Sequence, residues 1–126
     1  MFEVVNTGLR PPAVPASGTV RSGDLVDCVV IPRDPATGKI VEGGVEPQMR
    51  QTLSNLKQAV EAAGGSLADV TQVMIYLVDR SDFAGMNAVY TEFFTAPFPT
   101  RATAIVQLVD ESLRVEVIAR ANLAKV

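Results

Sequence analysis

Residues 45–78 read VEPQMRQTLSNLKQAVEAAGGSLADVTQVMIYLV. Within them Val45, Met49, Leu53, Leu56, Val60 and Ala63 recur at steps of four, four, three, four and three, a single apolar stripe at helical period. Arg50, Ser54, Lys57 and Glu61 occupy the opposite face, so this helix rests on an apolar layer with water on its back. Pro47 is tolerated in a first turn, and Gly64-Gly65 supplies the C-terminal stop. The period then changes. Thr71 to Val78 is apolar on both parities, the pattern of a central strand covered on both faces.

Upstream, Thr19-Val20-Arg21 and Leu25 to Ile31 flank Ser22-Gly23-Asp24 and predict a hairpin. Asp34-Pro35-Ala36-Thr37-Gly38 has turn chemistry at each end, and the Pro-rich start (Pro11, Pro12, Pro15) reads as irregular chain. Downstream, Ser81 is placed to cap a second helix running to Phe94, with Phe83, Met86, Tyr90 and Phe93 as its stripe. Gly85 weakens that helix and Pro97 prevents its continuation. Arg101 to Val109 and Leu113 to Leu123 read as two strands joined through Asp110-Glu111-Ser112. The order β-β-α-β-α-β-β, in one domain over residues 1–126, gives an α+β two-layer sandwich with both helices on one face of the sheet. The other face of strands such as 25–31 and 71–78 is also apolar and has no element left to cover it. Self-association, sheet to sheet or around a shared barrel, is the economical cover.

Composition narrows the chemistry. The 126 residues contain no His, which removes Ser-His and Cys-His nucleophile pairs and nearly every catalytic zinc site. One Cys allows neither an intramolecular disulfide nor a Cys-rich metal site. The net charge of −3 lacks the footprint of a nucleic-acid binder. No apolar run approaches the ~20 residues of a membrane span, and the N-terminus has no targeting pattern, so the expected setting is cytoplasmic, away from membranes.

Most candidate sites then fall away. Cys28 lies in an apolar strand with no base to activate it and reads as a buried, inert thiol. Gly43-Gly44 and Gly64-Gly65 are not followed by Lys-Ser or Lys-Thr and are turns or helix ends. Asp79, Arg80 and Asp82 read as solvated capping charge. Two charges remain. Arg101 precedes eight uncharged residues, and Glu116 sits mid-strand in LRVEVIARA, where carboxylates are depleted. Either Glu116 lies on an outer face in a row with Arg114 and Arg120, or it and a guanidinium face a pocket for a small carboxylate ligand. If the last two strands pair as a hairpin centred near Glu111, Arg101 and Glu116 stand roughly 16 Å apart along them, and joining them needs a bulge, a strong coil or a second subunit.

The runs IPRDPATGKI, QMRQTLSNLKQAVEAAGGSLADV, MNAVYTEFF, FPTRAT and VEVIA resemble, in order over residues 15–126, the RidA/YjgF family of imine deaminases. Pro99-Thr100-Arg101, followed fifteen residues later by Val115-Glu116, matches its C-terminal signature. The resemblance implies a chorismate-mutase-like fold and a homotrimer around a central barrel, with a pocket in each cleft between subunits. It implies cofactor-free, metal-free hydrolysis of reactive enamines and imines, such as 2-aminoacrylate and its imine tautomer, to a 2-keto acid and ammonia. Arg101 then holds the substrate carboxylate and Glu116 positions the attacking water. The match places Cys28, Val29, Asn87 and Thr103 on the substrate-binding walls. Four positions depart from the family pattern: Pro15 replaces a pocket tyrosine, Cys28 and Val29 fall in the usual Ser-Gly-Gln run, and Thr103 replaces a cysteine. Those changes leave two further readings open, a non-catalytic trimer whose altered cleft binds a metabolite or partner and a pathway-specific deaminase of a larger substrate. A ribonuclease activity, also attributed to the family, is disfavoured by the acidic charge and the missing His base.

Overall fold

The apolar stripe forms helix α1, Val45–Ala62, in a computed structural model that describes residues 1–125. Met49, Leu53, Leu56, Ala59 and Val60 are fully buried, while Arg50, Ser54, Lys57 and Glu61 face solvent as their spacing requires. The helix ends in a Schellman turn: Gly64 N–H donates to Glu61 O (3.0 Å) and Gly65 N–H to Val60 O (2.9 Å). Gly64 has φ 102°, which a side chain adopts only with strain. Two buried amide side chains on α1, Asn55 and Gln48, hold neighbouring loops: Asn55 Nδ2 donates to Ile31 O and Arg33 O, and Gln48 Nε2 to Val41 O and Ser112 O. Buried Thr52 instead donates from Oγ1 to Gln48 O within the helix.

Six strands make one sheet: β1 Glu3–Val4, β2 Thr19–Ser22, β3 Leu25–Val30, β4 Val70–Leu77, β5 Thr100–Ile105 and β6 Val115–Asn122. Their order is β1-β2-β3-β6-β4-β5. The β2–β3 hairpin forms as read, with Gly23 at φ 62° in its turn. The short β1, upstream of the Pro-rich stretch read as irregular, adds a further strand beside β2.

The reading of the chain's end as a hairpin is wrong. β5 and β6 do not pair. β6 lies antiparallel between β3 and β4, and β5 lies parallel on the far side of β4. The sheet is therefore mixed. The cause is the second helix. A strand, a helix and a following strand close on one another most simply as a parallel unit, which puts β5 beside β4. The β5 backbone also ends at Ile105, and residues 106–114 make the loop that carries the chain past β4 to β6.

Helix α2, Phe83–Phe93, starts later than its sequence suggests. Ser81 is not its cap. Asp79 accepts hydrogen bonds from Ser81 N–H and Oγ–H, capping a one-turn 3-10 helix, Arg80–Asp82, that leads into α2. The buried face is Met86, Val89 and Tyr90, followed by Phe94, and Phe83 is exposed rather than part of the stripe. Gly85 stands where α2 approaches the start of α1, so that a Cβ there would press on Val45 Cγ1 at 3.1 Å and Glu46 Cγ at 3.2 Å. Arg50 and Glu92 join the two helices through a two-pronged ion pair (3.0 and 2.7 Å) on the solvent side.

Both helices pack on one face of the sheet. The residues turned toward them, Val26, Cys28 and Val30 of β3, Val73, Ile75 and Leu77 of β4, and Val115, Val117, Ala119 and Ala121 of β6, form one core cluster with α1 and α2. The opposite face presents Leu25, Val29 and Ile118 to solvent, with Met74 and Tyr76 partly exposed. Among the described residues no helix is long and apolar enough to cross a membrane. Because Leu53 is central to the core and fully buried, Leu53→Ala should lower unfolding free energy by about 3 kcal/mol in urea melts monitored by circular dichroism, with little change in the denaturant slope.

Candidate functional site

Arg101 is the second residue of β5, an edge strand, and pairs in register with Val73. Val73 faces the helices, so Arg101 does too. Its guanidinium carbon stands 4.7 Å from the centre of the Tyr90 ring and 5.9 Å from that of Phe83. Tyr90 in turn stacks on Phe94, with ring centres 4.6 Å apart. Among the described residues no acidic side chain lies within ion-pair distance of Arg101, and its guanidinium donates no hydrogen bond. Other arginines contrast with it: Arg50 pairs with Glu92, Arg114 with Asp82 and Arg120 with Asp27. Thr103 lies two residues along β5 on the same face, paired with Ile75 and half-buried. Asn87 is one helical turn before Tyr90 on α2, and its Oδ1 is buried without a protein partner among the described residues.

Glu116 is on the other side of the sheet. Its β6 neighbours Val115 and Val117 are fully buried against the helices, so alternation turns Glu116 to the open face, level with Tyr76 of β4. Ile118 follows two residues along β6, and its cross-strand partner on β3 is Val29, which is 43% exposed. The outer-row reading of Glu116 is therefore right about its face. Ion pairing within a row is not seen. Arg114 donates from Nε to buried Asp82 (2.9 Å) and Arg120 from Nε to Asp27 (2.8 Å), leaving Glu116 with no cation among the described residues. Burial pushes the Glu116 carboxyl above its ordinary range, with nothing to pull it back.

The sequence-predicted residues thus fall into two groups on opposite faces of one sheet. Arg101, Thr103 and Asn87 are on the helix side at the β5 edge; Glu116 and Val29 are on the open side. The hairpin register behind the expected 16 Å separation does not exist, and no bulge or coil within a single chain brings the two charges together. Cys28 belongs to neither group. It is 2% exposed, turned into the core, and burial lifts its thiol to about 11 despite a hydrogen bond with Thr19. Its placement as a binding wall is corrected: the side chain faces the core, and the inert-thiol reading describes it. Pro15 is exposed in the irregular N-terminal segment.

Two features escaped sequence reading. Tyr90 was legible as core, yet its ring also carries Arg101. Gln48 is buried beside the α1 stripe and works on both sides of its amide. Nε2 donates to Val41 O (3.0 Å) and Ser112 O (2.9 Å), and Oε1 accepts from Arg114 N–H (2.7 Å). With the Arg114–Asp82 pair, it fixes the backbone two residues before Glu116. A buried Gln on an amphipathic helix is a usable signal, because its amide must find partners.

A family model described as Endoribonuclease L-PSP matches residues 8–123. The chain belongs to this RidA/YjgF family. It is 42% identical over 119 residues to a RutC family protein of Pyrococcus horikoshii, covering 93% of this chain and 94% of that one. It is 40% identical over 124 residues to the 2-iminobutanoate/2-iminopropanoate deaminase of Salmonella typhimurium, again covering 93% and 94%. Among solved structures, that of E. coli TdcF with bound serine superposes with a TM-score of 0.88 at 33% identity, covering 97% of this chain and 99% of that one. The α+β fold, with a mixed sheet and two helices, is thus the RidA/YjgF fold.

In this RidA/YjgF chain the raised Glu116 carboxyl has a measurable cost. A group whose folded pKa lies above its unfolded value stabilises the fold only below the unfolded pKa and withdraws that support as pH rises through the folded one. Glu116→Gln should therefore melt at a higher temperature than the parent at pH 8, and the difference should close below about pH 4. Thermal melts across that range measure it.

Proposed function

We propose that the protein is a hydrolytic deaminase of small 2-imino and 2-enamino acids, working without a cofactor in a homotrimer. Each site combines Arg101 of one chain with Glu116 of the partner subunit. The observation that carries the reading is the state of Arg101: a guanidinium at a sheet edge, held over aromatic rings, with no carboxylate of its own among the described residues. Such a group can receive a ligand carboxylate through two parallel N–H···O bonds. The bound serine of the related E. coli structure is a carboxylate of suitable size, and the Salmonella relative carries the deaminase name.

The chemistry asks little more. The C=N carbon of an imino acid is already electrophilic. Glu116, a stronger base for being partly buried, accepts a proton from water as the oxygen bonds to that carbon. Glu116 passes that proton to nitrogen, then takes the remaining hydroxyl proton and passes it to nitrogen too, so that C=O forms as the C–N bond breaks and ammonia and the 2-keto acid leave. Water and imine account for every atom of the products. Positioning supplies much of the acceleration such a reaction needs. The opposite orientations of the two charges support an intersubunit site, and the exposed Leu25, Val29 and Ile118 give the open face a reason to be covered.

Val29 favours one alternative, since it puts bulk on the Glu116 face where the family pattern has glycine. On that reading the trimer binds a metabolite or partner without turnover, or accepts a different, larger imine. Ribonuclease activity has less support, with a net charge of −3 and no His.

Two measurements decide. With 2-aminoacrylate generated in situ, the protein should accelerate its decay, and Arg101→Ala should lower kcat/KM by at least about a hundredfold. No acceleration by the parent protein sets aside turnover of this substrate. Co-assembling Arg101→Ala with Glu116→Gln chains should restore activity to about a quarter of the parent's, because each mixed trimer contains one intact pair. No restoration, with both variants trimeric, would overturn the intersubunit site.

A further inference from the structure

Arg101 has an unusual anchor for a surface arginine. Arg50, Arg114 and Arg120 are each aimed by a carboxylate, and Arg10 by the carbonyls of Pro35 and Ala36. A guanidinium aimed that way commits N–H donors to its anchor, and a carboxylate anchor also neutralises it. An aromatic face aims the same group through the ring quadrupole and leaves all five N–H donors and the full charge available. Arg101 has the second kind of support: Tyr90 beneath it at 4.7 Å and Phe83 at 5.9 Å.

Tyr90 is suited to this by rigidity. It is 4% exposed, lies on the packed face of α2 and is backed by the stacked Phe94 ring. Its hydroxyl is buried and finds no protein partner among the described residues, so no hydrogen bond within the chain accounts for a tyrosine there. Burying an unpaired hydroxyl is unfavourable by itself. Phe83 is 45% exposed and contributes little to the core, yet it faces the same guanidinium.

We propose that Tyr90 is the positioning residue for Arg101, with Phe83 as its outer rim: the aromatic pair holds the guanidinium in place, so that a carboxylate meets a group already oriented and still fully charged. The inference rests on the reading of Arg101 as the carboxylate grip. It concerns how that grip is built and assigns Tyr90 no contact with substrate. Pre-ordering acts on binding, so its loss should raise KM and leave the chemical step largely unchanged.

The test uses Tyr90→Phe, Tyr90→Leu and Phe83→Leu in the full-length protein, with Arg101→Ala to assign the Arg101 side-chain resonances. Ring currents should move the Arg101 δ-methylene and Nε–H protons upfield in the parent and in Tyr90→Phe, and this shift should vanish in Tyr90→Leu. Titration with benzoate and 2-ketobutyrate should give a Kd about tenfold weaker for Tyr90→Leu, unchanged for Tyr90→Phe and about two- to threefold weaker for Phe83→Leu. KM for 2-aminoacrylate should follow Kd while kcat stays within about twofold. Equal loss in Tyr90→Phe and Tyr90→Leu would assign the effect to the hydroxyl and overturn the proposal, as would a fall in kcat at unchanged KM. If Tyr90→Leu does not fold, Phe83→Leu decides, since that exposed site tolerates the change; unaltered binding and shifts there overturn the aromatic support. A parent spectrum without the upfield shift overturns it whatever the activity. An upfield shift in a parent that binds no carboxylate supports the aromatic support and removes the grip instead.

Discussion

Strand β4 carries β6 on one edge and β5 on the other, and the register of those two ladders decides on which face each candidate residue stands. Val73 is level with Arg101 on one side and Ala119 on the other, all three turned toward the helices. Tyr76 is level with Glu116 and turned away from them. Shifting either ladder by one residue would exchange every side chain between faces and expose the core, so the hydrophobic pattern of β4 and β6 enforces the register. The same force that buries Val73, Ile75, Val115 and Val117 therefore holds the two charges apart on opposite faces.

Helix α1 and the β2–β3 hairpin were legible because a strong period leaves few alternatives. The α1 stripe is unbroken, and its glycine stop makes the backbone bonds such a stop provides. The chain's end was misread for a reason of scale. Alternation reveals that residues 101–105 and 115–122 are strands and which side chains share a face, but carries no information about which strand lies between two others. The short apparent turn at Asp110 favoured a hairpin, whereas the helix before Thr100 favoured a parallel partner for β5, and the helix prevailed. Phe83 was misassigned more locally. Its spacing from Met86 and Tyr90 fits a helix face, but it is the first residue of α2, and its ring lies beside Arg101.

The candidate site was legible in its residue types and not in its geometry. Arg101 and Glu116 stand out as charges in apolar strands, a signal that survives without knowledge of topology. Cys28 shows the opposite case. A position matched by family pattern lies next to Val29, and strand alternation sends the two side chains to opposite faces, one into the core and one outward. The departures in this chain are therefore unequal: Val29 changes the open face, while the Cys28 side chain changes only core packing. Gln48, Asp82 and Arg114 were invisible as a unit because their contacts join positions up to 66 residues apart.

Several charges and buried amides in this fold have local partners. Arg50, Arg114 and Arg120 each have an acid, Asp79 and Asp110 accept from nearby serines, and the buried Gln48 and Asn55 amides donate to loop carbonyls. Among the described residues Arg101 and Glu116, like Arg33 and Arg80, form no ion pair. Their pairing with each other would satisfy both, and the sheet forbids it. Evolution toward stability alone would fill Glu116's position with an apolar or amide residue and give Arg101 a carboxylate, since each is a small change at a tolerant position. Two unsatisfied charges of opposite sign, kept on opposite faces where they cannot quench each other, are what a cleft between identical subunits needs. In the homotrimer proposed above, each copy would supply a cation to one neighbour and a base to the other, and the proposed substrate, acid at one end and electrophile at the other, would complete the arrangement.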